Sequence, residues 1–342
     1  MCALLRYVCI FATLLTSLTL SAQTLTTLYN FTAKGGNGYY PYSGVIIGPQ
    51  GELYGTTPFG GAWKLGVVYE LLPPSSSGGS WIEVPLHSFN SHSGDGQPTA
   101  GLLLGPKGIL YGVTGFNGAP GGTTTFGTVY QLTPPSGAGT RWIETDLYHF
   151  SGSDGDGQNP EASLIWSGRS LYGTTSTGGT TQNGTAFSLT PPAQSGGTWT
   201  EAVLYSYQPL QAGGDGSNPV SALVSGANSV LYGTTEYSGA AGSLDAEGTV
   251  LKLAPPSISG GSWTETLLYT FTGKNGDGEF PSAGLVIDAQ GVLYGTTWRG
   301  GVQTDNCSYG SLRNGLCARP AADARWRLDR DDPTCLWRRR ER

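Results

Sequence analysis

The chain has 342 residues, of which 18 are lysine or arginine and 24 are aspartate or glutamate, for a formal charge of −6 at pH 7. Residues 1–312 carry 9 basic and 19 acidic side chains, a balance of −10, which argues against nucleic acid as a partner. Only 12% of the residues are charged and 55 are glycine, so the sequence predicts a neutral, polar surface rich in Thr, Ser, Gly and Asn.

The N-terminus has the pattern of a secretory signal peptide. A short stretch, residues 1–6, precedes an apolar run over 7–20, and Ser21-Ala22 places small residues before Gln23. The apolar run is shorter than the ~20 residues that span a bilayer, which favours cleavage over a membrane anchor. We therefore predict a signal peptide over 1–22, a secreted or cell-surface location, and no transmembrane segment in the mature chain.

A repeat of about sixty residues fills most of the remaining chain. Its clearest element is a Leu-Tyr-Gly-(Thr/Val)-Thr pentad, whose leucines are 57, 61, 60 and 62 residues apart. A fixed period of this length indicates one supersecondary unit copied side by side. The pentads begin at Leu53, Leu110, Leu171, Leu231 and Leu293.

Each repeat contains four short runs rich in Val, Ile, Thr, Tyr and Trp, bounded by Gly, Pro, Ser or Asp. In the second repeat these runs begin near Pro98, Ile109, Gly127 and Trp142. Paired prolines cannot continue a strand ladder, so Pro134-Pro135 marks a strand end. Four antiparallel strands repeated radially predict an all-β fold, a β-propeller of four-stranded blades over residues 23–310, with a right-handed β-helix as the main alternative.

The two ends of the repeat region depart from the period. Leu25–Phe31 matches the fourth run of a repeat and predicts an outer strand before the first full copy. The fifth copy stops at about Ser311, and residues 313–342 carry nine arginines against five acids. One interpretation of this segment is a basic tail that binds an acidic partner.

The other interpretation is a frameshift. A permitted back-translation of Leu312–Trp337, read one nucleotide later, encodes Cys-Gly-Thr-Val-Tyr-Ala-Leu-Ala-Pro-Pro and, further on, Gly-Gly-Ala-Trp-Thr. That text is the missing half of the repeat, with the double proline and the tryptophan in register. We therefore predict that 311–342 is a frameshifted tail outside the fold and that the fifth repeat is truncated.

The repeat resembles known families at several motifs. Residues 281–297 are similar to the inner half of an NHL-type propeller blade, and Gly60-Gly61 followed by Tyr69 and Trp81 is loosely similar to a kelch repeat. The whole unit, over about residues 25–310, resembles most closely the GloVer tandem repeat of choice-of-anchor bacterial exported proteins, named for Gloeobacter and Verrucomicrobia. The motifs are Leu-Tyr-Gly-Thr-Thr, Gly-Thr-Val-Tyr-x-Leu-x-Pro-Pro and Trp-(Thr/Ile)-Glu. The resemblance implies export and no established activity.

The loops before each repeat supply the candidate ligand-binding residues, which are aspartates next to glycine. Carboxylates and carbonyls in such loops can hold Ca²⁺, although the twelve-residue loop with a terminal Glu is absent. The alternative is an Asx-type turn in which the aspartate accepts from its own backbone, and this alternative is favoured. The candidates are Asp95, Asp154, Asp156, Asp215 and Asp277.

A tryptophan followed two residues later by a glutamate also recurs. Aromatic faces with carboxylates can bind sugars, but the favoured interpretation packs each Trp between blades and leaves each Glu on the wet face of an outer strand. The pairs are Trp81 with Glu83, Trp142 with Glu144, Trp199 with Glu201, and Trp263 with Glu265. The three histidines, His87, His92 and His149, do not recur and predict no metal site.

These patterns predict an exported, non-enzymatic repeat protein that presents a binding surface for a protein or polysaccharide partner. No catalytic constellation and no cofactor is expected. The alternative is a carbohydrate-active enzyme, a lyase or glycosidase, which would require a pair of acids outside the repeat pattern.

Overall fold

The computed structural model describes residues 25–32, 36–90, 96–115, 117–118, 124–137, 141–194, 196–208, 215–237, 247–258, 260–274 and 277–300. The predicted signal peptide and the predicted frameshifted tail lie outside these ranges. Within them the regular structure is β-strand, apart from the short 3₁₀ turns Pro106–Gly108 and Ala227–Ser229. None of these residues belongs to a helix long and apolar enough to cross a membrane.

Four sheets of four antiparallel strands follow one another along the chain, as the repeat predicted. In each sheet the strands lie side by side in chain order. The first sheet contains Ile46–Ile47, Leu53–Thr57, Val67–Leu72 and Ile82–Ser88; the second contains Leu103–Leu104, Leu110–Thr114, Thr128–Thr133 and Ile143–His149. The third contains Ile165–Ser167, Ser170–Thr175, Thr185–Thr190 and Thr200–Ser206; the fourth contains Val224–Ser225, Leu231–Thr235, Thr249–Ala254 and Thr264–Thr270.

The terminal repeats differ from these four. In the described part of the fifth repeat, Val286–Ile287 pairs with Leu293–Tyr294 as a two-stranded sheet. The prediction of a strand over Leu25–Phe31 was wrong, because this segment is hydrogen-bonded into no ladder. Its side chains nevertheless occupy the expected place, since Tyr29 and Phe31 pack on the buried Val67, Tyr69 and Leu71 of the first sheet.

Consecutive sheets pack face to face through aromatic side chains near their third and fourth strands. Phe89 of the first sheet and Tyr130 of the second have ring centroids 5.1 Å apart, and Phe150 of the second and Phe187 of the third also lie at 5.1 Å. These four rings are almost fully buried. Third strands are therefore covered on both faces, which is why their residues are apolar at consecutive positions.

At the first strands the sheets approach much more closely through small residues. A Cβ placed on Gly101 would lie 2.8 Å from Ser163 Oγ and 3.5 Å from the Gly44 carbonyl oxygen, one in each neighbouring sheet. Second-strand threonines also donate across to the next repeat, from Thr56 to the Ala100 carbonyl at 2.8 Å and from Thr234 to the Pro281 carbonyl at 2.9 Å. Neighbouring sheets are thus close at their first strands and separated by rings at their outer strands.

Candidate functional site

Each repeat presents two loops at the same end of its sheet, and we call this end the ribbon end. In four of the five repeats, the loop before the first strand pairs there with the loop after the second strand, whereas in the second repeat Asn117–Gly118 pairs with Thr124–Thr125 within the latter loop. The pairs are Gly38–Tyr39 with Phe59–Gly60, Gly157–Gln158 with Thr177–Gly178, Ser217 with Tyr237, and Gly278–Glu279 with Arg299–Gly300. The opposite end carries the turn between the first and second strands and the Pro-Pro turn between the third and fourth.

The recurring loop aspartates accept hydrogen bonds from donors in their own loops and from tyrosines of the preceding fourth strands. The Asp277 carboxylate accepts from the Thr272 N–H at 2.8 Å, the Thr272 hydroxyl at 3.0 Å and the Gly278 N–H at 2.8 Å. Asp156 accepts from the Ser151 N–H at 2.7 Å, the Gly157 N–H at 2.7 Å and the Tyr148 hydroxyl at 3.1 Å. Asp215 accepts from the Gln208 N–H at 2.9 Å and from the Tyr205 hydroxyl. These hydrogen bonds hold the loops in place. A cation that bound the same carboxylate oxygens would have to displace the hydrogen-bond donors.

The other candidate residues occupy different surroundings. Asp154 lies in a turn with φ +54°, and Asp95 and His92 fall outside the described residues. His87 pairs with Glu144 at 3.0 Å, and His149 pairs with Asp146 at 3.3 Å. Across the described ranges, no three His, Cys, Asp or Glu side chains are grouped as metal ligands.

Replacing Asp277 by alanine is expected to cost about 3 kcal/mol of unfolding free energy, because two backbone N–H groups and a hydroxyl lose a charged acceptor. Asp277→Asn should cost less, since Asn37 fills the equivalent place in the first repeat. Asp154→Gly is the matched control, with a change near zero, because glycine suits φ +54°. Denaturant unfolding of the three variants tests this ordering, and equal losses for Asp277→Ala and Asp154→Gly would contradict it.

The recurring tryptophans lie between sheets, as expected. Trp142 faces Tyr54 of the preceding sheet at 6.3 Å between ring centroids, and Trp263 faces Tyr172 at the same distance. The expectation that the glutamates lie on the wet face was wrong. Glu83 is 9% exposed, whereas the neighbouring Ile82 is 60% exposed. Residues two apart on a strand point to the same face of the sheet. Because the tryptophan packs inward, the glutamate two residues later also points inward.

These inward glutamates meet different partners in each interface. Glu83 Oε1 accepts from the Gly38 N–H at 3.1 Å, and Glu144 pairs with His87. Burial raises the pKa of Glu201 to about 7, with a further contribution from the charge of Asp156. Burial also raises the pKa of Glu265 to about 7, with Asp215 as the neighbouring charge.

Exposed aromatic side chains concentrate at the ribbon end of the first repeat. Tyr39 stacks on Phe59 with centroids 5.7 Å apart, and Tyr40 lies 5.4 Å from Tyr39. Tyr40 is 63% exposed and Tyr42 is 73% exposed. Tyr40 has φ +60°, a conformation that is unusual for a bulky residue. Asn159 and Asn218, which tolerate it, stand at the equivalent positions of the third and fourth repeats.

A second aromatic group lies at the ribbon ends of the fourth and fifth repeats. Phe280, with φ +56°, lies 5.7 Å from Tyr237 and 6.4 Å from Trp298 between centroids. The Arg299 guanidinium stacks over Trp298 at 4.7 Å and over Phe280 at 5.6 Å. We use the name aromatic platform for the two groups together, which are Tyr39, Tyr40, Tyr42 and Phe59 in the first repeat and Tyr237, Phe280, Trp298 and Arg299 in the last two.

Two acids that do not recur lie at the same end, on the third and fourth repeats. Glu236 accepts from the Asn218 amide at 2.5 Å. Glu161 is exposed, yet desolvation raises its pKa, with the charge of Glu236 as a second cause. Ser176 also hydrogen-bonds Glu161 and opposes the rise.

The sequence prediction missed the aromatic platform and this acid pair because it searched for residues that recur. The useful signal is the opposite one, namely positions where a single repeat breaks the pattern. Glu236 stands where the other repeats have Pro58, Gly115, Ser176 and Trp298, and Tyr40 stands where they have Gln97, Asn159, Asn218 and Phe280.

The sequence profile of the Gloeobacter/Verrucomicrobia repeat matches residues 119–309, more than half of the chain. The chain belongs to this repeat family. The resemblance drawn from the pentad, the Pro-Pro motif and the Trp-Glu motif is thereby confirmed. No curated protein matches the chain at a significant level.

Several solved structures are similar to this family member at low identity. A protein of unknown function from Dyadobacter fermentans is 12% identical over 73% of this chain and 72% of its own, with a TM-score of 0.41. A xylan β-1,4-xylosidase from Bacillus halodurans is 14% identical over 79% of this chain and 47% of its own, with a TM-score of 0.35. A Trypanosoma rangeli sialidase is 15% identical over 66% of this chain and 37% of its own, with a TM-score of 0.34.

Proposed function

We propose that the protein is an exported, non-enzymatic β-propeller whose ribbon end binds a polysaccharide at the cell surface. The aromatic platform carries this proposal, because sugar rings stack on exposed aromatic faces. The neutral surface and the pattern of a signal peptide support export.

Closure of the sheets into a ring is supported by apolar side chains at the two ends of the array. Leucine stands at the position equivalent to Val45 in every later repeat. Each of those leucines is buried against the preceding sheet, whereas Val45 is 44% exposed. Ile47, on the same face, is 71% exposed. Val286 is 65% exposed, whereas its counterpart Ile46 packs against the second sheet. Ring closure would pack the exposed face of the first sheet against the exposed face of the fifth repeat and bury both.

The N-terminal segment supports the same closure. Phe31 packs on Tyr69 at 4.9 Å, as Phe89 packs on Tyr130 in the next interface. Leu25–Phe31 thus occupies the place of the fourth strand of a sheet that precedes the first. In a ring that sheet is the last one, which brings the aromatic groups of the first and fifth repeats beside each other as one platform.

Tyr40→Asn is expected to weaken polysaccharide binding about tenfold while leaving stability unchanged or slightly higher. Asparagine tolerates φ +60°, so the variant removes strain together with a stacking ring. Co-sedimentation with a panel of insoluble polysaccharides and thermal unfolding provide the two measurements. Ile258→Ala is the matched control, since Ile258 is 72% exposed at the opposite end. Equal polysaccharide binding by Tyr40→Asn and Ile258→Ala would contradict the proposal that the aromatic platform is the binding site.

The second candidate function is a glycosidase, and the acid pair Glu161 and Glu236 favours it. Glycoside hydrolysis requires a pair of carboxyl groups, one of them with a raised pKa, and Glu161 beside Glu236 offers such a pair. Release of reducing ends from a bound polysaccharide, abolished in both Glu161→Gln and Glu236→Gln, would establish this activity and replace the non-enzymatic proposal. Binding without release supports the first proposal.

A further inference from the structure

The buried glutamates of the fourth strands share a feature that hydrogen bonding leaves unexplained. In each of the four sheets, one carboxylate oxygen is buried and has no hydrogen-bond partner within the described residues. Buried oxygens of this kind call for a bound proton, a water molecule or an ion. The atoms are Glu83 Oε2, Glu144 Oε1, Glu201 Oε1 and Glu265 Oε1.

The groups that face these glutamates divide the interfaces into two kinds. Glu83 faces the Gly38 N–H and the Tyr29 hydroxyl, and Glu144 faces the His87 imidazole. Neither of these carboxylates faces another acid. Burial raises the pKa of Glu83, but the hydrogen bonds from Gly38 and Tyr29 oppose the rise.

The interfaces that contain Glu201 and Glu265 are of the second kind, with acidic partners. Glu201 faces the carboxylate of Asp156 and the hydroxyl of Tyr148. Glu265 faces the carboxylate of Asp215 and the hydroxyls of Tyr205 and Tyr207. The pKa of each of these tyrosines is raised well above its usual range, so the hydroxyls stay neutral.

In both of these acid pairs the aspartate is the member with hydrogen-bond donors. Burial raises the pKa of Asp215, and the hydrogen bonds from Tyr205 and Gln208 oppose the rise. Asp156 and Asp215 accept from backbone N–H groups and a tyrosine hydroxyl, and such contacts stabilise a carboxylate. The glutamate across the interface has an unpartnered oxygen and a like charge nearby, which both disfavour ionisation.

We propose that Glu201 and Glu265 are proton-binding sites that couple the packing of the third and fourth sheets to pH. Each holds a proton while the neighbouring sheets are in contact and loses it as the pH rises, which places two carboxylates against each other across the interface. The interface closed by Glu144 and His87 has no such repulsion. Alkaline conditions therefore loosen the later half of the array first.

The direction follows from the proton balance. Burial raises the pKa of both glutamates from 4.5 to about 7, so the folded state binds more protons than the unfolded state between these values. The associated stability is complete below pH 4.5 and is lost as the pH rises through about 7.

Glutamine at these positions tests the proposal, because it keeps the shape of a protonated glutamate and cannot ionise. In the full chain, Glu201→Gln with Glu265→Gln is expected to raise the melting temperature at pH 8 by about 2–5 °C and to flatten its fall between pH 5 and pH 8. Glu144→Gln is the matched control, because Glu144 faces the His87 imidazole and no carboxylate, and it is not expected to raise the melting temperature at pH 8.

Two results would overturn the proposal. One is a Glu201→Gln, Glu265→Gln protein that melts at a lower temperature than the unmodified chain at pH 8, which would mean that the two carboxylates are charged and held by a cation. The other comes from the unmodified chain and does not depend on how the variants fold. Carbon-13 NMR titration of its glutamate carboxyl groups should reveal two that titrate near pH 7, and their absence would refute the assignment.

Discussion

Replacing Gly184 by alanine is expected to destabilise the protein by about 4 kcal/mol. Gly184 has φ +99°, and a Cβ there would lie 2.3 Å from the Thr175 carbonyl oxygen and 2.7 Å from Pro219 Cδ. The backbone conformation costs a non-glycine residue about 1–2 kcal/mol, and the overlap with two rigid groups adds a penalty of about 1–3 kcal/mol. Equilibrium denaturation by urea measures the loss.

The matched control for this substitution is Gly196→Ala. Gly196 has φ +82°, but a Cβ there would have no atom within 4 Å, so alanine meets only the backbone cost. Gly66, Gly127 and Gly248 share the close approach of Gly184 to the proline that opens the next repeat. If Gly184→Ala and Gly196→Ala lower the free energy of unfolding equally, the close approach of Gly184 to Pro219 contributes nothing to stability.

Replacing Phe187 by alanine is expected to cost about 4 kcal/mol, because its ring is fully buried between the second and third sheets. Its ring lies 5.1 Å from Phe150, and a Cβ on Gly173 would approach it to 2.7 Å, so the pocket is shaped around it. Phe187→Leu should cost about 1 kcal/mol, since Leu251 fills the equivalent place in the fourth sheet.

Thermal unfolding of the two Phe187 variants should therefore give clearly separated curves. A cooperative transition in both variants would indicate that the loss spreads through the array. Similar melting temperatures for alanine and leucine would mean that the packing between the second and third sheets contributes little, contrary to the burial of these rings.

The strands were predictable because several independent signals agreed on each of them. The Leu-Tyr-Gly-Thr-Thr pentad became the second strand in four sheets, and Pro134-Pro135 follows the third strand Thr128–Thr133 directly. The register between third and fourth strands was not predictable. A bulge recurs there in every sheet, between Val68 and Tyr69 in the first and between Ala186 and Phe187 in the third, and no residue type in the motif requires it.

The candidate site was harder to predict than the fold. The sequence places Asp156, Asp215 and Asp277 in loops, but the donors that they meet, such as the Thr272 N–H, depend on the path of each loop. The inward position of Glu83 could have been derived from Trp81, because strand alternation connects the two. The left-handed backbone of Tyr40 could not, since nothing in the residue type favours it.

The threonine hydroxyls that donate across to the next sheet show that one repeat does not satisfy its own hydrogen bonds. Thr56 finds its acceptor at Ala100 and Thr174 finds its acceptor at Ser221, so the hydrogen bond of one copy is completed by the copy that follows. An isolated repeat would lack these acceptors along with one wall of its core. The sixty-residue repeat is therefore a unit of sequence and not a unit of folding, because each copy depends on the next one for both a hydrogen-bond acceptor and a packing surface.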